Sequence, residues 1–276
     1  TRAGFDVVVT GDGSFDMGVV FLPRAKVEAR ALVAQALRLT GGGPVIVDGQ
    51  KTDGIESIQR DCRKRGGQIT NSVSKAHGKM FVLRGGEFSE WDTDGNQIHL
   101  GTDFVTVAGV FSADAVDPGS AALVQALPSD MAGRVCDLGA GWGYLSHHVL
   151  TCPDVSECHL IEAQHSALEC ARQNVSDPRA RFHWGDATTF RPDGAFETVV
   201  MNPPFHNGRA SDPTLGQAFI AAAAAIVKPH GTVWLVANRH LPYEAVLTEA
   251  FHEVVEVGGD KSFKVFRATK PRRKVK

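Results

Sequence analysis

The run Val135-Cys136-Asp137-Leu138-Gly139-Ala140-Gly141-Trp142-Gly143-Tyr144 limits the possible folds more than any other stretch. Arg134 to Leu138 reads as a buried strand, the three glycines as a tight turn, and Tyr144 to Leu150 as a helix. Glycine is needed in such a turn because a Cβ would block both the reversal and the approach of a ligand to the backbone. Two ligand classes use turns of this kind. A dinucleotide fingerprint spaces its glycines G-x-G-x-x-G to seat a pyrophosphate. Here the spacing is G-x-G-x-G, with Asp137 two residues ahead. A carboxylate at the strand end repels phosphate and attracts an ammonium group, which favours a zwitterionic ligand with an amino-acid end, such as S-adenosylmethionine.

Further acidic and amide residues recur at strand ends. Glu157 to Ile161 reads as a strand ending on Glu162, about 25 residues after Asp137, the length of one βαβ unit. A carboxylate there can accept two hydrogen bonds from ribose hydroxyls. Ala180 to Trp184 leads to Gly185-Asp186-Ala187, where Asp186 can accept from an adenine amino group, and Phe196 to Met201 delivers Asn202-Pro203-Pro204-Phe205. Four successive strand ends thus carry polar groups, the edge at which open α/β sheets bind ligands.

On these residues the chain resembles the class I S-adenosylmethionine-dependent methyltransferases. Within them it is similar to the bacterial small-subunit ribosomal RNA guanine-N2 methyltransferases of tandem-domain type. The resemblance covers almost the whole chain and is carried by Gly109-Val110-Phe111-Ser112, Asp117-Pro118-Gly119-Ser120, the Asp137 to Gly143 turn, Asn202-Pro203-Pro204-Phe205-His206, Ala237-Asn238-Arg239-His240-Leu241-Pro242-Tyr243 and Lys261-Ser262-Phe263-Lys264-Val265. It implies two tandem Rossmann-like α/β domains. The first, 1–105, would be a degenerate copy that helps fold its partner and hold RNA. The second, 106–276, would be catalytic, with a seven-stranded mostly parallel sheet and a terminal antiparallel hairpin. Asp137, Gly139, Gly141, Gly143, Glu162, Asp186, Ala187 and Asn202 would hold S-adenosylmethionine, and Asn202, Pro203 and Phe205 would carry catalysis. The implied partner is ribosomal RNA or the small ribosomal subunit, met by a cytoplasmic monomer.

Taken in order, Phe5 to Val9 and Met17 to Leu22 read as strands, Ala25 to Leu39 as a helix, Pro44 to Val47 as a strand and Gly54 to Arg65 as a helix. Met80 to Leu83 and Phe104 to Val107 follow as extended segments around a polar loop from Gly85 to Gly101. This half has no Asp-x-Gly-x-Gly turn and no Asn-Pro-Pro sequence, so the scaffold is expected without the site. Leu215 to Val227 reads as a helix closed by Pro229 and Gly231, Thr232 to Ala237 as a central strand, Tyr243 to Phe251 as a helix, and Glu253 to Val257 with Ser262 to Arg267 as a hairpin.

Other residue groups carry further expectations. A net charge of -2 neither requires nor excludes nucleic acid, since a local basic face can coexist with an acidic remainder. Arg60, Arg63, Lys64, Arg65 and the tail Lys270-Pro271-Arg272-Arg273-Lys274 are candidate RNA contacts, against the reading as solvated faces. Five scattered cysteines without paired spacing fit a reducing compartment. The apolar run Ala218 to Val227 is about half of what a bilayer needs, so no membrane span is expected. His147, His148, Cys152, Cys158 and His159 match no zinc spacing, and no metal is expected. Trp142 and Trp184 read as pocket wall or core, and His206 as a surface histidine or a proton acceptor.

The expected chemistry is methyl transfer to a planar nitrogen whose lone pair is delocalised. Accepting both amino hydrogens, from the Asn202 side-chain oxygen and the Pro203 carbonyl, favours a pyramidal nitrogen aimed at the methyl group. Phe205 would stack on the base. Positioning of this kind supplies roughly 7 to 11 kcal/mol without a strong base or metal. The same Asn-Pro-Pro-aromatic sequence also suits adenine in DNA or a glutamine side chain in protein. A non-catalytic RNA-binding assembly factor that retains the cofactor pocket is the rival from another class, and a nicotinamide oxidoreductase fails on glycine spacing.

Overall fold

The computed structural model describes residues 8, 11, 13–92, 97–101, 103–204, 206–207, 210–211 and 213–272, with backbone alone at 206, 207, 210, 211 and 213. The expected strand Phe5 to Val9, apart from Val8, lies outside the described residues, as do Phe205, Arg273 and Lys274.

Two compact units divide the chain, Thr1–Asn96 and Gln97–Lys276. The first holds β1 (Gly18–Phe21), α1 (Lys26–Leu39), β2 (Val45–Gln50), α2 (Ile55–Lys64), β3 (Gln68–Lys75) and β4 (Gly78–Arg84). Its sheet runs β1-β2-β4-β3, with β1 parallel to β2 and the other pairs antiparallel. Ala29, Val33 and Leu37 recur at helical spacing on α1, and Ile55, Ile58 and Cys62 on α2. With Val45, Val47, Phe81 and Leu83 they form one core. β3 is absent from the sequence reading because it has no buried face: it lies at the sheet edge with no residue fully buried, so no alternation marks it.

The second unit opens with a hairpin, β5 (Gln97–Leu100) and β6 (Phe104–Val107), then α3 (Pro118–Ala126), β7 (Gly133–Leu138), α4 (Tyr144–Val149), β8 (Val155–Glu162), α5 (His165–Asn174), β9 (Ala180–Trp184) and β10 (Phe196–Met201). A short ribbon, β11 (His206–Asn207) with β12 (Ala210–Ser211), precedes α6 (Pro213–Ile226), β13 (Val227–Asn238), α7 (Tyr243–Ala250), β14 (Phe251–Gly259) and β15 (Phe263–Pro271). The second compact unit includes the hairpin, and the buried Asn174 amide ties the hairpin to it. Its Oδ1 accepts from Val105 N at 2.8 Å, and its Nδ2 donates to Val105 O and Trp142 O, each at 2.8 Å. The hairpin is thereby fastened to α5 and to the turn after β7.

Seven strands form the main sheet in the order β14-β15-β13-β10-β7-β8-β9. The five from β13 to β9 are parallel, and β15 and β14 run antiparallel at one edge, as expected. Successive side chains go to opposite faces. Cys136, Leu138, Val199, Met201, Val233 and Leu235 pack against Phe219, Ala223 and Leu247 of α6 and α7. Val135, Cys158, Leu160, Val200, Trp234 and Val236 pack on the other face with Leu123, Leu145 and Ala171 of α3, α4 and α5. Pro229 and Gly231, read as a helix stop, lie within β13. A Cβ on Gly231 would sit 2.7 Å from Glu197 O, so glycine there permits close strand pairing. Among the described residues no helix is long and apolar enough to cross a membrane.

Candidate functional site

The strand order reverses between β7 and β10, which pair in register, Val200 beside Asp137 and Met201 beside Leu138. The glycine turn after β7 and Asn202-Pro203 after β10 are therefore neighbours at the switch point of the sheet, where the carboxyl ends of the strands leave a crevice. Glu162 ends β8, and Asp186 follows β9.

The glycine turn is held from behind. Ile161 O accepts from Gly139 N at 2.9 Å and Ala140 N at 3.0 Å, and Glu162 Oε2 accepts from Gly141 N at 2.8 Å. Three successive N–H groups are thus satisfied within the protein. They form no nest for a pyrophosphate, which removes the dinucleotide alternative on geometry as well as spacing. Gly139 and Gly141 have φ of +76° and +55°, and a Cβ added at Gly141 meets no atom within 4 Å, so this glycine faces open space. Gly143 is placed differently. It is the left-handed N-cap of α4, and its Cβ would lie 2.8 Å from Val175 Cγ2, so it allows the turn to pack on α5.

Two adjoining cavities open on this turn. The larger, about 360 Å³, is lined by Glu162, Ala163, Asp186, Ala187, Pro203, Pro204, Leu215 and Phe219. The smaller, about 40 Å³, is lined by Ser112, Asp117, Ser120, Ala140, Trp142, Tyr144 and Leu145. Phe111, Gly139, Gly141 and Asn202 line both, so the Asn202 amide stands where they meet. Its Nδ2 donates to Asp117 Oδ2 at 2.8 Å and to Ser120 Oγ at 2.9 Å. Gly143 lines neither cavity.

The acidic residues divide by environment. Asp137 is fully buried on the α4 face of the sheet. Its Oδ2 accepts from Ser146 Oγ at 2.7 Å, and its Oδ1 has no partner among the described residues. Burial raises its carboxyl from the ordinary 3.8 to about 7, the nearby Glu162 charge adding to the rise and the Ser146 hydrogen bond opposing it. It underlies the turn and does not line either cavity. Glu162 accepts from Gln164 N at 2.7 Å on Oε1 as well as from Gly141 on Oε2. A diol would therefore meet its remaining lone pairs. Asp186 is exposed, and its Oδ1 accepts from Thr188 N and Thr188 Oγ1 at 2.8 and 2.7 Å.

Several groups quoted from the sequence fall elsewhere. Trp184, 54% exposed, is not core and lines neither of these two cavities, whereas Trp142, buried in the wall of the smaller one, donates from Nε1 to Phe111 O at 3.0 Å. Trp184 donates instead to Ala163 O at 2.9 Å. Arg239 clamps the terminal hairpin through Asp260 O and Phe263 O, and Lys264 pairs with Glu244. Arg65 pairs with Glu90 at 2.7 Å and lies over Trp91, and Arg272 bonds Thr248 O and Phe251 O, while Arg60, Arg63 and Lys64 stay exposed. All five cysteines are free and buried, and no group of three or more His, Cys, Asp and Glu among the described residues is placed to hold a metal ion. Phe111, Leu215 and Phe219 line the crevice without having been read as site residues. The available signal for Phe111, which is 53% exposed, was its place in the Gly109-Val110-Phe111-Ser112 run that carries the resemblance.

Comparison with known proteins matches residues 101–267 to the Methyltransferase small domain family and residues 1–84 to the Methyltransferase small domain N-terminal family. Ribosomal RNA small subunit methyltransferase C of Yersinia enterocolitica is 30% identical over 274 residues, covering 96% of this chain and 78% of that protein. The protein of that name from Psychromonas ingrahamii is 29% identical over 267 residues, covering 92% and 76%. Among solved structures, the T. thermophilus 16S rRNA N2 G1207 methyltransferase (RsmC) in complex with AdoMet and guanosine aligns with a TM-score of 0.76 at 25% identity, over 94% of this chain and 74% of that one. With a glycine turn and an Asn-Pro-Pro segment side by side at the switch point, and a family match over residues 101–267, the chain belongs to the methyltransferase small-domain family.

Proposed function

We propose that this enzyme transfers a methyl group from S-adenosylmethionine (AdoMet) to the exocyclic 2-amino group of a guanine in small-subunit ribosomal RNA. The observation that carries the reading is the place of Asn202, lining both cavities at their junction. AdoMet has an adenosine end and an amino-acid end with the reactive sulfonium between them. A molecule laid across the two cavities puts its transferable methyl beside that amide.

The residues present fit such a donor. A crevice of about 360 Å³ is within the usual range for small-molecule sites. Glu162 would take the ribose hydroxyls, Asp186 and Ala187 would meet the adenine, and Gly139 and Gly141 would leave room along the chain. Asp137, with its unpaired Oδ1 under the turn, would supply the negative charge for the ammonium group. When bound, AdoMet supplies an electrophilic methyl on a sulfur that leaves with the bonding electron pair. The Asn202 Oδ1 and the Pro203 carbonyl would accept the two amino hydrogens and turn the nitrogen lone pair toward the methyl, after which the nitrogen proton passes to solvent. The first unit, without a glycine turn or an Asn-Pro-Pro sequence, has no catalytic part. Its exposed Arg60, Arg63 and Lys64 would help hold RNA phosphates for a monomer acting in the cytoplasm.

Incubating the protein with tritiated AdoMet and, separately, ribosomal RNA, small subunits, DNA and bulk protein tests the reading. Label is expected in the RNA or subunit sample as N2-methylguanine, and label confined to protein or DNA would overturn it. Asn202→Ala is expected to keep AdoMet affinity within a few-fold while turnover falls by about 100-fold or more.

A further inference from the structure

A side-chain amide offers two N–H donors on one end and an acceptor on the other, and the end facing a ligand decides what the ligand must be. For Asn202 that choice is made by residues far away in the chain. Asp117 Oδ2 and Ser120 Oγ take the Nδ2 hydrogens at 2.8 and 2.9 Å, so both donors are spent inside the protein. A flipped amide would set Oδ1 against the Asp117 carboxylate, exchanging a charge-assisted hydrogen bond for lone-pair repulsion.

Asp117 is itself held in place. It is the N-cap of α3, its Oδ2 accepting from Ser120 N at 2.7 Å, with Pro118 occupying the first turn of the helix. Gly119 is buried where an added Cβ would lie 2.9 Å from Phe263 Cε1 and 3.0 Å from Asp117 Oδ2. The first turn of α3 is thus seated on the Phe263 ring with no space for a side chain between ring and carboxylate. This gives the Asp117-Pro118-Gly119-Ser120 and Lys261 to Val265 segments a common purpose.

We propose that Asp117 and Ser120 are positioning residues that lock the Asn202 carboxamide with Oδ1 toward the crevice, so that the acceptor position reads an amino group and rejects a keto oxygen. The inference rests on the methyl-transfer reading above. Pro203 reinforces it, because proline has no N–H, so it brings a carbonyl acceptor and no backbone donor next to an amide whose Nδ2 hydrogens are already bound. On guanine such a pair matches the amine edge and repels the O6 edge, which orders the base before transfer.

The test separates this role from helix capping. Asp117→Ser keeps a capping hydroxyl for α3 but is shorter and uncharged, and Asp117→Asn keeps an acceptor of full reach. Asp117→Ser is expected to lower kcat on ribosomal RNA about 10- to 100-fold, with AdoMet affinity by calorimetry within about threefold and an unchanged thermal midpoint. Asp117→Asn is expected to recover to within about fivefold of wild type, and Ser120→Ala, which keeps the backbone cap, to lose about three- to tenfold in kcat. Wild-type kcat in Asp117→Ser would overturn the positioning role, as would a loss explained wholly by AdoMet affinity or stability. A wild type that methylates no ribosomal RNA or subunit would instead overturn the reading beneath it.

Discussion

Asp137→Asn gives the sharpest measure of how the buried acid under the glycine turn is used. Asparagine keeps an acceptor for Ser146 Oγ and removes the titration, while placing a buried NH2 where Oδ1 has no partner among the described residues, so the comparison is read from the pH dependence and not from absolute stability. Burial is the main reason that the Asp137 carboxyl rises from 3.8 to about 7. The folded protein therefore holds this proton more tightly than the unfolded chain does. That stabilisation is fully present below about pH 4 and is lost as pH rises through about 7. At about 1.4 kcal/mol per pKa unit, the whole differential is on the order of 4 kcal/mol, and about 2 to 3 kcal/mol of it disappears between pH 5 and pH 8. Urea unfolding of the ligand-free proteins across that interval should show wild type losing stability relative to Asp137→Asn by about this amount. The ligand changes the sign. An ammonium group near Asp137 favours the carboxylate, so wild-type affinity for AdoMet should rise with pH toward 7, by up to about tenfold per pH unit, with about one proton released on binding. Asp137→Asn should bind more weakly and lack that rise. Parallel stability profiles for the two proteins would refute the burial argument, and identical pH profiles of affinity would remove Asp137 from the cofactor site.

Gly143→Ala should lower stability by about 1 to 3 kcal/mol, because its φ is +91° and the new Cβ meets Val175 Cγ2 at 2.8 Å. AdoMet affinity should stay within a few-fold; lost affinity at unchanged thermal midpoint would return Gly143 to the ligand site. Glu162→Ala strands the Gly141 and Gln164 N–H groups, each worth about 1 to 3 kcal/mol if left unsatisfied. Calorimetry should find AdoMet binding at least about tenfold weaker, with Glu162→Gln intermediate; unchanged affinity in both would exclude a ribose contact.

The legible parts of this protein were those whose cause is local. β7, β10 and β13 are dense in apolar residues, with β-branched valines prominent, because they are covered on both faces, and such runs announce themselves without knowledge of their neighbours. The glycine turn was visible because positive φ at Gly139 and Gly141 demands glycine whatever packs around them. β3 left no trace because one-sided burial is what creates alternation, and it has no buried residue. Pro229 and Gly231 misled because their usual meaning as a helix stop was overridden by strand pairing with β10.

Residue type and spacing were thus enough for the doubly wound α/β scaffold, the ligand edge of its sheet and the place of Asn202 on that edge. Spatial closure added what residue type and spacing could not: Gly143 packs on α5 and lines neither cavity, Asp137 lies under the turn rather than on the crevice wall, and Asp117, 85 positions from Asn202, accepts from its amide. A chain displays its short-range preferences along its length, whereas hydrogen bonds between distant segments exist only once the strand order has brought those segments together.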